Sequence, residues 1–255
     1  MSQMEATELY LDLLKKSLTN SLYEVEPDTD GDQSSYVMEF VHHYIEAPAV
    51  SMLPLARLAN LQECVVDVLR RQTPGDLIET GVWRGGATIF MRAVLKAYGI
   101  TDRKVWVADS FEGLPEPDPK RFPIESKAHR DPLMQEFYKN FAASLADVKR
   151  NFTAYGLLDN QVEFLQGWFK DTLPTAPIAK LAVMRLDGDY YESTMDALTN
   201  LYDKLSVGGF VIIDDYGEDA WTNCRQAVNT FRTERGIADP MIRVDSKCYY
   251  WQRTT

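Results

Sequence analysis

From Asp76 onward the chain repeats one unit: a short apolar run, an abrupt stop at glycine or aspartate, then a stretch with helical spacing. "DLIET" (76–80), "KVWVAD" (104–109), "QVEFLQG" (161–167), "KLAVMRLD" (180–187) and "GGFVIIDD" (208–215) read as strands. Residues 86–99, 135–155, 191–205 and 223–236 read as helices, and "MIRVD" and "CYYWQ" as closing strands. Such alternation has one economical solution, an α/β fold with a mostly parallel sheet and helices on both faces. In these sheets ligands sit outside the carboxyl ends of the strands, so each strand's last residues carry the functional information.

The preceding segment is different. Residues 4–23 read as a helix with Leu9, Leu13, Leu14 and Leu18 on one face, followed by a polar loop, "EPDTDGDQSS" (26–35). "YVMEFVHHYIEAP" (36–48) is short and mixed; Met52 to Arg71 is helical until "TPG" stops it. The expected division is therefore an N-terminal helix and lid segment, 1–50, and a sheet domain, 51–255. Residues 112–133 are too long and too rich in proline and charge for an ordinary connection. They are expected to form a lid insertion.

Strand one ends in Glu79-Thr80-Gly81, followed by "VWRGG". Glycines there allow a tight turn and close approach of a ligand to backbone, although the spacing is not the dinucleotide G-x-G-x-x-G. Taken alone, this is an ordinary strand-to-helix turn. Strand two ends in Asp109-Ser110. An acid at this point can accept hydrogen bonds from both ribose hydroxyls, and together with the glycine loop it suggests a nucleoside-containing cofactor. Strand three ends in Gly167-Trp168-Phe169, with Gly167 and Trp168 placed to flank an adenine and Phe169 read as core.

Strands four and five end in Asp187-Gly188-Asp189 and Asp214-Asp215. If these strands are neighbours, four carboxylates meet at one edge of the cleft. Helix-capping aspartates are common, but four at two adjacent strand ends would repel one another and raise their pKa values. A hard divalent cation such as Mg²⁺ removes that cost. His42 and His43 read as solvated surface, with an active-site lid as the second reading, and His129 in the insertion is read the same way.

The net charge of −11 argues against nucleic acid or an anionic membrane as partner. Three widely spaced cysteines, Cys64, Cys224 and Cys248, form neither a disulfide framework nor a metal pair, which suits the cytoplasm. The N-terminal residues carry early acids rather than a signal-peptide pattern, and no apolar run is long enough to span a bilayer.

"GDLIETGVWRGGATIFMRAVL", "VWVADSFEGLP", "GWFKDTLPTAPI", "MRLDGDYYESTMDAL" and "GGFVIIDDYG" together resemble the macrocin O-methyltransferase family over roughly residues 51–252. The resemblance implies a class I methyltransferase, Rossmann-like sheet and an S-adenosylmethionine- and Mg²⁺-dependent transfer to a sugar hydroxyl of a glycosylated natural product. By the same resemblance Glu79, Thr80 and Gly81 line the methionine end of the cofactor, with Met52 near the methyl donor. Asp109 and Ser110 hold the ribose, and Gly167 and Trp168 flank the adenine. Asp187, Asp214 and Asp215 ligate the metal, Asp187 also lying beside the cofactor, and Asp189 is the general base. Tyr190 stands where the family motif often has leucine, a change that bears on the acceptor pocket. Family members are usually dimers or larger, so a homo-oligomer is expected, with the N-terminal helix as a candidate interface. The expected partner is a small-molecule glycoside. Three alternatives stay open: a catechol-type O-methyltransferase, a nicotinamide-dependent oxidoreductase, and a non-catalytic binding module.

Overall fold

The computed structural model describes residues 2–27, 39–217 and 222–255. Seven strands form one sheet: β1 (Asp76–Thr80), β2 (Val105–Asp109), β3 (Val162–Gln166), β4 (Leu181–Leu186), β5 (Leu205–Ile213), β6 (Ile242–Arg243) and β7 (Tyr249–Gln252). Their spatial order is β3-β2-β1-β4-β5-β7-β6. The first five are parallel, whereas β7 runs antiparallel to both β5 and β6. Strand alternation divides the core between two faces. Val105 and Val107 join one hydrophobic cluster, and Trp106 and Ala108 join the other.

The helices cover both faces. They are α1 (Gln3–Leu18), α2 (Leu55–Arg70), α3 (Gly86–Ala97), α4 (Pro123–His129), α5 (Pro132–Tyr138), α6 (Leu145–Ala154), α7 (Phe169–Thr172), α8 (Tyr191–Leu201) and α9 (Thr222–Glu234). α1 opens with a capping box between Ser2 and Glu5. Its buried face is Leu11, Leu14 and Leu18, whereas Leu9 and Leu13 are exposed. The 3-then-4 spacing of 11, 14 and 18 keeps those three on one stripe, so the expected face was partly wrong. The helix is also shorter than residues 4–23, because Asn20 turns left-handed just after it.

The helix expected at 135–155 is two helices. α5 ends at Tyr138, a short 3₁₀ turn covers Lys139–Phe141, and Ala142 is extended. Ser144 then caps α6 by accepting from the Asp147 amide. The polar loop at 26–35 lies, from residue 28 onward, outside the described residues. Among the described residues no helix is long and apolar enough to cross a membrane, and all three cysteines are buried and free.

The chain reverses its order of addition at β1: β2 and β3 are laid down on one side, β4 and β5 on the other. This switch point opens a crevice at the carboxyl ends of β1 and β4. Gly81 sits there at φ +83, and a Cβ on it would lie 1.7 Å from the Asp187 carbonyl oxygen. Only glycine allows the two strand ends to come this close.

Candidate active site

Asp109 fastens the ends of β1 and β2 together. Its carboxylate accepts from the backbone amides of Val82 and Phe111, each at 2.7 Å. Burial raises its pKa and these amides pull it back down. Trp83 and Phe111, beside those bonds, both have left-handed backbones, as does Asp189 after β4. Such conformations cost about 1–3 kcal/mol for bulky residues and persist only where the surroundings impose them. Trp83 is held further by its indole nitrogen, which donates to the Asn140 carbonyl at 2.7 Å. Arg84 stacks on Trp83 and donates to the Ala49 carbonyl at 2.7 Å, anchoring the segment that leads to Met52.

At the other side of the crevice Asp187, Asp214 and Asp215 each place a carboxylate oxygen within 4.8 Å of the others. The cluster is not left to a cation alone, because two buried guanidiniums lie under it. Arg185, 1% exposed and inside β4, pairs with Glu79, Asp214 and, at 2.9 Å, Asp187. Arg57, in the first turn of α2, pairs with Asp214 and Asp245, both at 2.6 Å. Compensation is incomplete. Burial, then the charge of Asp214, pushes Asp187 up to about 6. Burial and neighbouring carboxylates also push Asp189 and Asp215 well above the usual range. Burial pushes Glu79 up to about 8 despite its pairing with Arg185.

One Asp215 oxygen, Oδ2, is buried with no hydrogen-bond partner. Three hard oxygen donors, one of them orphaned, in a site that still favours protons fit a divalent cation that prefers oxygen ligands.

The crevice widens into a cavity of about 610 Å³ whose lining includes Met52, Gly81, Asp109, Trp168, Asp187 and Asp189. This volume lies within the usual range for small-molecule sites, about 300–1,000 Å³. Ser110 also lines it, whereas Glu79, Thr80, Gly167, Asp214 and Asp215 do not. Glu79 and Thr80 lie beneath the floor, 2% and 0% exposed, with Glu79 turned to Arg185. Gly167 instead donates its amide to the Asp109 carbonyl. Phe169, expected in the core, also lines the cavity.

The insertion, here called the cap, contributes Gly113 to Pro117, Arg121 and Glu125 to the cavity wall. Three consecutive residues at the start of α8 hold it. Tyr190 Oη meets His129 Nδ1 at 3.3 Å, the Tyr191 ring packs on Phe122 at 5.1 Å, and Glu192 pairs with Arg121 at 2.8 Å. His129, expected as surface, is thus joined to the cavity wall through Tyr190. His43 is likewise not surface: it is 2% exposed, with Nε2 at 2.8 Å from the Thr19 carbonyl. His42 is exposed and pairs with Glu46. Arg57 and Arg185 were missed by sequence reasoning. For Arg185 there was a signal, a cation inside an otherwise apolar strand, which must find partners.

The macrocin-O-methyltransferase (TylF) family matches residues 45–253. An 8-demethyl-8-(2,3-dimethoxy-alpha-L-rhamnosyl)-tetracenomycin-C 4'-O-methyltransferase from Streptomyces olivaceus is 50% identical, over 98% of this chain and 94% of that protein. Mycinamicin III 3''-O-methyltransferase from Micromonospora griseorubida is 47% identical, with 100% of both chains covered. Among solved structures, the O-methyltransferase NovP is 46% identical and superposes with a TM-score of 0.85, over 98% of this chain and 100% of that one. A calicheamicin methyltransferase, 18% identical, superposes at 0.60 over 96% of this chain and 92% of its own, a likeness of fold alone.

Proposed function

This chain belongs to the macrocin O-methyltransferase family and is an S-adenosylmethionine-dependent O-methyltransferase; from that premise we propose that it methylates a sugar hydroxyl on a glycosylated natural product, using magnesium. The observation that carries this reading is a single cavity with Asp109 on one wall and Asp187 and Asp189 on the other. S-adenosylmethionine supplies a methyl group on a sulfonium with a neutral leaving group, and magnesium supplies a Lewis acid that acidifies a nearby hydroxyl.

The chain's own residues do the rest. Asp109 accepts from the amides of Val82 and Phe111 and, at 3.5 Å, from the Ser110 hydroxyl, and it would offer its remaining acceptor capacity to a ribose diol. Trp168, on the cavity wall, offers a face to the adenine. Met52 and Gly81 lie at the methionine end. Asp187, Asp214 and Asp215 would hold the ion, with Arg57 and Arg185 fixing the carboxylates from below. Asp189 takes the proton from the acceptor hydroxyl. Asp189 would be kept ionised, and so able to accept, by a divalent cation held beside it. Sugar hydroxyls are weak acids, so both the base and the cation serve the step. Holding the two reactants in one cavity supplies much of the remaining acceleration.

The cysteines, buried and unpaired, suit the cytoplasm. A homo-oligomer is part of the reading, and α1 offers exposed Leu9 and Leu13 to such a contact.

The test is a panel of nitrophenyl glycosides, macrolide and aminocoumarin glycosides, and simple catechols. Each is incubated with isotopically labelled methyl donor and Mg²⁺ and read by mass spectrometry. Label on a sugar oxygen supports the reading. Label on catechols alone makes the protein a catechol-type enzyme and overturns the glycoside assignment.

A further inference from the structure

Several charged groups lining the cavity have no task in the mechanism, Glu125 among them. Glu125 projects from α4 of the cap into the cavity lining. Its carboxylate lies within reach of the Asn223 side chain at the start of α9. One of its oxygens, Oε2, is buried and has no hydrogen-bond partner. A buried carboxylate oxygen left unpaired is costly, and native proteins rarely keep one without reason.

Position narrows the reason. Glu125 lies within electrostatic reach of Tyr138 and Tyr190, the same two tyrosines that feel Asp189. It therefore shares the neighbourhood of Asp189. Part of the wall there is Tyr190, buried and bonded to His129. A polyhydroxylated acceptor presenting one hydroxyl to Asp189 would present neighbouring hydroxyls to this wall and to the cap.

We propose that Glu125 is an acceptor-recognition residue whose unpaired carboxylate oxygen accepts a hydrogen bond from a sugar hydroxyl other than the one methylated. The assignment rests on the glycoside reading of the preceding section. It gives the cap a specific role, reading the hydroxyl pattern around the reacting position. A hydrogen bond to a charged group contributes enough for a loss of about ten- to a hundredfold on deletion.

The experiment crosses two changes. Wild type, Glu125→Gln and Glu125→Ala are each assayed with the nitrophenyl glycosides of the panel and with their monodeoxy analogues. Glu125→Ala should raise KM for the parent glycoside about ten- to a hundredfold, with kcat within a fewfold of wild type. For one monodeoxy analogue that penalty should vanish, because its hydroxyl is already missing. Glu125→Gln, which keeps an acceptor without the charge, should fall between. S-adenosylhomocysteine affinity, measured by calorimetry, should stay within about twofold. An equal penalty on every deoxy analogue would make Glu125 a structural cap residue and overturn the assignment, as would an unchanged KM. A wild type that methylates no glycoside overturns the glycoside reading, and this assignment with it.

Discussion

Asp189 carries the sharpest prediction at the scale of single residues. Asp189→Asn keeps the shape and removes the proton acceptor, so kcat should fall about 10²- to 10⁴-fold. Divalent-ion and cofactor affinities should change little, which steady-state kinetics and calorimetry measure separately. A variant near full kcat would place the base elsewhere. His42 and His43 are poor substitutes, one paired with Glu46 at the surface and the other buried against Thr19. Asp109→Ala should weaken S-adenosylhomocysteine binding about 30- to 1,000-fold in a calorimetric titration, the range for truncating a hydrogen-bonded charge. Part of that loss comes from the amides of Val82 and Phe111, which lose their shared acceptor. Unchanged affinity would remove Asp109 from the cofactor site. The acids at the strand ends were legible in the sequence because a strand's last residue has a fixed relation to the cleft. Their counter-charges were not. Arg57 reaches Asp214 from 157 positions away, and nothing local marks it. Glu79 shows the reverse error: its place at a strand end was plain, but the pleat turned it under the floor toward Arg185.

At the scale of elements, β1 and β4 meet through Gly81, and the prediction follows from that contact. Gly81→Ala puts a Cβ where the Asp187 carbonyl oxygen stands, at a backbone angle that suits glycine. The strand ends must separate, which shifts the backbone of Asp187. The variant should lose about 2–4 kcal/mol of stability in urea unfolding, in line with overpacking and left-handed strain combined. What remains folded should bind Mg²⁺ more weakly than wild type. A variant with wild-type stability and ion affinity would mean that the strand ends have slack. Periodicity located most of these elements, since each strand is a short apolar run with a hard stop. It failed where caps and breaks decide. Ser144 restarts a helix inside what reads as one continuous periodic stretch, and α1 buries Leu11 rather than Leu9 and Leu13 because its packing partner, not its composition, selects the face.

For the whole molecule, the acid cluster ties stability to pH and to the ion. Asp187 is pushed up to about 6 and Glu79 to about 8. A carboxyl with a folded pKa above its unfolded value favours the fold while protonated. That contribution is lost as pH rises through the folded pKa. The metal-free protein should therefore lose thermal stability between about pH 4 and pH 8. Magnesium should restore it, by about 2.7 kcal/mol at 100 times its dissociation constant, or roughly 5–10 °C for a chain of this size. Scanning calorimetry in chelator and in Mg²⁺ at several pH values measures both effects. Asp215→Asn should abolish the magnesium shift and stabilise the metal-free form. Identical midpoints with and without the ion would refute the metal site. One further consequence follows from the order of residues after β4. Asp189 is followed immediately by Tyr190, Tyr191 and Glu192, and each of these three holds a different residue of the cap. The base and the footing of the cap are thus a single inheritance unit. Exchanging the cap between relatives to graft a new acceptor preference requires residues 190–192 to travel with residues 112–133. A chimera built from either piece alone inherits a hinge without its socket.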